Sequence, residues 1–82
     1  MPPPPEIAPK DLTIQLNGKP VLVENMKDPS LLVAVISALE LKADRIAVEY
    51  NGEIVRRATW AEVSVHSGDR LEIVHFVGGG LA

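Results

Sequence analysis

The chain has 82 residues, 46% of them hydrophobic and 23% charged, with seven prolines, six glycines and three aromatics, Tyr50, Trp60 and Phe76. That is one small globular domain; it buries roughly 60–65% of its unfolded surface, leaving little room for a closed substrate pocket of about 300 Å³ or more. The absence of cysteine excludes disulfides, thiolate zinc sites, iron–sulfur clusters and a cysteine nucleophile, and a net charge of −3 lacks the basic footprint of a nucleic-acid binder.

Residues 1–10 are read as a disordered, proline-rich extension. Pro2 to Pro5 and Pro9 lack backbone N–H groups and favour polyproline II over helix or paired strand. The segment has neither the basic nor the apolar region of a secretory signal. The longest basic run, Arg56-Arg57, is too short for a membrane patch, and nothing approaches the ~18 apolar residues of a membrane span. A cytoplasmic protein without nucleic-acid or membrane partners is the expectation, monomeric until it meets other proteins.

The domain is expected over residues 11–77. Leu12 to Leu16 alternates apolar and polar residues as a half-buried strand does. Asn17-Gly18 tolerates the positive φ of a type I′ turn, so Pro20 to Glu24 returns as a second strand, with Pro20 near its start. Asp28-Pro29 reads as the N-cap and first residue of a helix. Leu32, Val35, Ile36 and Leu39 place one apolar stripe along about three turns of that helix.

Ile46 to Tyr50 is a third strand, turned by Asn51-Gly52 into a short fourth, Glu53 to Val55. Thr59-x-x-Glu62 is a capping box, predicting a helical turn over residues 59–63. Ser67-Gly68-Asp69 is a turn and Arg70 to Val77 the last strand. The order predicts an α+β fold: one main helix packed on a four- to five-stranded mixed sheet, plus a short helical turn. With the last strand lying beside the first, this is the β-grasp arrangement.

No catalytic set emerges from the inventory. His66 and His75 have no metal-ligand spacing and are expected at the surface. Glu49 and Glu53 flank a hairpin turn, Glu62 belongs to its cap, Ser30 and Ser37 to the helix, and Ser64 and Ser67 to strand ends or turns. Gly78-Gly79-Gly80 lacks the lysine, the hydroxyl and the following helix of a phosphate loop. No catalytic residue and no metal ligand is assigned.

Residues 78–82 are instead read as a flexible tail. Glycines lack a Cβ and cost most to order, so the segment suits threading through a narrow tunnel of another protein. Leu71 and Ile73 should face the helix. Val74 and Phe76 fall on the solvent phase and, with Val77, make an apolar stretch leading to the glycines, as a partner-binding surface does. Trp60 is expected as a wedge beneath the short turn rather than in that patch.

Asn51-Gly52-Glu53-Ile54-Val55, Arg57-x-x-Trp60, Gly68-Asp69-Arg70-Leu71-Glu72-Ile73-Val74 and Val77-Gly78-Gly79-Gly80 together resemble the ThiS family of sulfur carriers in thiamine thiazole biosynthesis, within the ubiquitin-like, MoaD-like β-grasp proteins. The resemblance spans Leu12 to Gly80. It implies that a ThiF-like, E1-type adenylyltransferase uses ATP and magnesium to activate the Gly80 carboxylate. A persulfide donor then supplies sulfur, giving a thiocarboxylate, and a ThiG-like thiazole synthase takes it. The carrier itself would bind no cofactor and catalyse nothing. Gly80 would bear the sulfur, Gly78 and Gly79 would thread the partner's active site, and Val74, Phe76 and Val77 would touch partners.

Arg56 stands where the family often has proline, and the proline-rich start has no usual counterpart. Leu81-Ala82 follow the glycines. Either a protease removes Leu81 and Ala82, or Gly80 is not the reactive end, or the two residues are foreign to the native chain. A thiocarboxylate carrier serving molybdopterin, cysteine, methionine or secondary-metabolite synthesis, and a ubiquitin-like modifier or adaptor, are the competing readings.

Overall fold

The computed structural model describes residues 11–76. The expectations for residues 1–10 and for Val77, Gly78, Gly79, Gly80, Leu81 and Ala82 lie outside them.

Chain order gives strands β1 (Leu12–Leu16), β2 (Lys19–Val23) and β3 (Ser30–Leu31), helix α1 (Leu32–Ala38), a 3-10 turn (Ala43–Arg45), strands β4 (Ile46–Tyr50) and β5 (Glu53–Val55), a second 3-10 segment (Arg57–Glu62), and strands β6 (Ser64–Val65) and β7 (Arg70–His75). Five strands form one sheet in the order β2-β1-β7-β4-β5, and β3 pairs with β6 in a separate two-stranded sheet. β1 and β7 run parallel while the other neighbours are antiparallel, so the sheet is mixed. The last strand lies centrally beside the first, as the element order predicts for a β-grasp.

Both Asn-Gly pairs turn their hairpins with positive φ, 50° and 85° at Asn17-Gly18 and 51° and 92° at Asn51-Gly52. Pro20 sits on edge strand β2 opposite Gln15, so its missing donor costs the inner sheet nothing. The core lies between the sheet's inner face and α1. Leu12, Ile14, Val48 and Leu71 come from the strands, Leu32, Val35 and Ile36 from the helix, and all are buried.

The helix begins later than predicted. Asp28 and Pro29 are not its cap and first turn: Ser30 and Leu31 pair with Val65 and Ser64, and α1 starts at Leu32. Its seven residues make two turns rather than three. The Leu32 N–H, at the actual start of the helix, donates to Val63 O at 2.8 Å. Asp28 Oδ2 accepts the Ser67 N–H at 3.3 Å, and the Ser30 hydroxyl donates to Lys27 O at 2.6 Å from the strand, not from the helix. At the other end, the Leu41 and Glu40 N–H groups return to Ile36 O and Ser37 O with Glu40 at φ 60°, closing the helix in a Schellman turn.

The capping box also fails. The 3-10 segment starts two residues before Thr59, which lies inside it, and the Thr59 hydroxyl donates to Arg56 O at 2.9 Å instead of accepting an N–H. Glu62 therefore has no cap to complete. Trp60 does wedge this segment onto the core: it is 2% exposed, and its indole N–H donates to Val55 O at 3.0 Å.

Candidate functional site

The site is built on β7 and the outer face of the sheet, away from α1. Alternation along β7 turns Leu71 and Ile73 into the core and Glu72 and Val74 outward. Val74 is 58% exposed and Phe76 43%, as their phase predicts. The outer surface is broader than β7 alone. Ile54, 76% exposed on β5, pairs with Glu49 of β4, which in turn pairs with Glu72 of β7. Ile54 escaped the sequence reading, although the inward Val55, opposite Val48, already put its neighbour on the outer phase.

Both flanks hold β7 straight as far as Phe76. On one side Ala47 lies opposite Val74, and the Phe76 N–H donates to Arg45 O at 2.9 Å. On the other side β1 ends at Leu16, opposite Leu71. There the Asn17 side chain takes over the role of a strand: its Oδ1 accepts the Ile73 N–H at 2.7 Å and its amide N–H faces Ile73 O at 3.4 Å. As far as Phe76, then, β7 is tied to its neighbours on both sides. An open groove of about 330 Å³, lined by Glu40, Leu41, Lys42, Arg45, His75 and Phe76, lies beside the end of β7. His66 and His75 are both exposed, as expected.

A polar network sits at the opposite end of β7. The Tyr50 hydroxyl lies 2.5 Å from Asp69 Oδ2 and 2.9 Å from Ser64 O, and the His66 N–H donates to the same carboxylate oxygen at 2.8 Å. Burial pushes the Asp69 carboxyl up. The His66 N–H, the Tyr50 hydroxyl, the Asn51 side chain and the His66 imidazole outweigh it, holding Asp69 below the usual carboxylate range. Tyr50 is pushed up to about 12, by desolvation first and then by its hydrogen bond to Asp69 and that group's charge.

The signs follow from linkage. A depressed carboxyl stabilises the fold above its unfolded pKa and loses that contribution as pH falls through its folded value, in the acid range below about pH 4. A raised phenol contributes below about pH 10 and loses it as pH climbs toward the folded value. Urea midpoints should therefore drop on acidification below about pH 4 in the native chain, and Asp69→Asn should flatten that acid limb. An equally steep limb in the variant would put the acid sensitivity elsewhere.

A sequence model described as the ThiS family matches residues 14–80. The chain belongs to the ThiS family. The sulfur carrier protein ThiS of Bacillus subtilis is 39% identical over 67 residues, covering 82% of this chain and 98% of that protein. The thiazole synthase of Magnetococcus marinus is 35% identical over 69 residues, 84% of this chain but only 20% of that protein. This ThiS-family chain thus spans about one fifth of the length of the thiazole synthase it matches. The structure of the thiamine biosynthesis protein ThiS from Geobacter metallireducens has the same β-grasp fold, with a TM-score of 0.72 and 33% identity over 84% of this chain and 100% of that one.

Among the described residues no helix is long and apolar enough to cross a membrane. Val74 and Phe76 share one surface, Trp60 lies beneath its segment and outside that surface, and Val77 to Gly80 follow beyond the described residues.

Proposed function

We propose that this chain is the sulfur carrier of thiamine thiazole biosynthesis, acting through the Gly80 carboxyl group. A carboxylate resists nucleophiles because its charge is delocalised and oxide is a poor leaving group. A ThiF-like, E1-type enzyme spends ATP, with magnesium, to make the acyl-adenylate and releases pyrophosphate. The terminal sulfur of a persulfide donor attacks the acyl carbon and AMP leaves. A thiol then cleaves the S–S bond to the donor, leaving the thiocarboxylate on Gly80. Thiazole synthase receives that sulfur.

The body of the domain supplies grip rather than chemistry. Val74 and Phe76 offer apolar surface next to the root of the tail, so an enzyme can hold the carrier while the side-chain-free Gly78 and Gly79 reach its active site. The observation that carries the reading is the family match, which continues through the glycines to Gly80. The ThiS-like segment in a thiazole synthase supports the pairing with that enzyme. Because Leu81 and Ala82 follow Gly80, the proposal includes their removal by a protease.

The test is the intact mass of the chain ending at Gly80 after incubation with the cognate activating enzyme, ATP, magnesium and a persulfide donor. The expected gain is that of sulfur replacing one oxygen, reversed by thiazole synthase with its substrates. Unchanged mass with an enzyme that hydrolyses ATP in the chain's presence would overturn the proposal.

A further inference from the structure

A second open groove, of about 400 Å³, is lined by Lys27, Pro29, Ser30, Leu31, Ala34 and Ser64. It runs where β3 and β6 meet the first turn of α1, at the end of β7 opposite Phe76. Its walls are largely apolar: Leu31 is 43% exposed although its neighbour Leu32 is fully buried. Its polar groups are already engaged, since the Ser30 hydroxyl donates to Lys27 O and Ser64 O accepts the Tyr50 hydroxyl. A small-molecule site needs convergent polar groups to fix orientation. A segment of polypeptide, apolar with one acidic group to meet Lys27, suits this groove better.

Three hydrogen bonds bring the start of β1 to the edge of the groove. Asp11 Oδ1 accepts the Asn25 N–H at 3.1 Å, the Thr13 N–H donates to Ser67 Oγ at 3.3 Å, and the Ser67 N–H donates to Asp28 Oδ2 at 3.3 Å. The chain therefore enters the domain beside the loop that supplies Lys27 and Pro29. Ten residues precede Asp11. At about 3.1 Å per residue in polyproline II they reach roughly 31 Å, ample for a groove that begins at their point of entry. Their chemistry matches its walls: Pro5, Ile7, Ala8 and Pro9 are apolar, and Glu6 carries the charge opposite to that of Lys27. Prolines with fixed φ reduce the entropy lost on ordering. The tether also holds the segment at a local concentration that a free partner of equal affinity does not reach.

We propose that residues 5–9 of this chain, Pro5-Glu6-Ile7-Ala8-Pro9, fill the groove as an extended strap, with Ile7 against Leu31 and Ala34 and Glu6 against Lys27. The strap takes the place of the solvated extension that composition alone suggests. It braces β3, β6 and the start of α1 from outside, a role independent of the sulfur chemistry proposed above.

The test compares amide spectra and melting of the full chain with those of Ile7→Ser, Leu31→Ser and the double variant. Ile7→Ser should shift the Leu31, Ala34 and Ser64 amides, leave those of Val74 and Phe76 in place, and lower Tm by about 4–8 °C. In the Leu31→Ser background the same change at Ile7 should have little effect on either measure. Glu6→Gln, which leaves the groove itself untouched, should move the Lys27 amide at low salt and less at high salt. All these shifts should persist on dilution, because segment and groove belong to one molecule. Native-like spectra in Ile7→Ser overturn the proposal and leave the groove to a separate partner. Undiminished effects in the Leu31→Ser background overturn it by placing Ile7 elsewhere. Shifts that fade on dilution overturn it in favour of the segment of a second copy.

Discussion

Replacing Trp60 with alanine is expected to cost about 3–5 kcal/mol, the range for deleting a buried aromatic. A small domain has about 5–15 kcal/mol in total, so the variant should lose a large share of its stability. Trp60 is 2% exposed and the bulkiest fully buried side chain in the core. It holds the Arg57–Glu62 segment against α1, and its indole N–H satisfies Val55 O. Alanine would leave a cavity under a segment with little structure of its own and remove that carbonyl's partner. Phenylalanine should recover much of the packing but not the hydrogen bond, and cost roughly 1–2 kcal/mol. Trp60 is the only tryptophan, so urea unfolding should be followed by far-ultraviolet circular dichroism. A loss below about 1 kcal/mol for alanine would mean that the core closes over the gap.

The parts of this fold that can be read from sequence are those decided within a few residues. Asn17-Gly18 and Asn51-Gly52 specify their turns through φ alone, and the alternation in Leu12–Leu16 and Ile46–Tyr50 specifies which face is buried. The start of α1 is different. Asp28-Pro29 is a sound local helix signal, but Ser30 and Leu31 take partners more than thirty residues away, in β6, and that pairing outranks the cap. Thr59 follows the same logic: once Trp60 is anchored in the core, the backbone winds as a 3-10 segment from Arg57 and the hydroxyl points back to Arg56 O. The site divides in the same way. Val74 and Phe76 are exposed by the phase of one strand, which sequence shows. Glu49, Glu72 and Ile54 become neighbours only through the register of three strands, which no local pattern carries.

Asn17→Ala should be the second most damaging change, at roughly 2–3 kcal/mol, from loss of the side-chain bonds to a strand backbone and the cost of alanine in the left-handed region. Glycine and aspartate separate these contributions. Asn17→Gly removes both bonds but suits φ 50°, so it should cost less than alanine. Asn17→Asp keeps an acceptor for the Ile73 N–H while setting a carboxylate oxygen against Ile73 O, so it should fall between the native chain and glycine. The functional consequence is specific. Among the described residues, β7 beyond Leu71 has β4 as its one neighbouring strand, and Asn17 ties the other side. Loosening it should speed hydrogen exchange at Ile73 and His75 more than at Leu12 or Ile14. Under the proposed function, thiazole synthase binding should weaken as well, although Val74 and Phe76 are unchanged, because the partner must then straighten the strand that carries them. Uniform exchange across the sheet in Asn17→Gly would show that Asn17 is only a turn residue; the selective pattern would show that the hairpin turn also holds the end of β7, from Ile73 to Phe76.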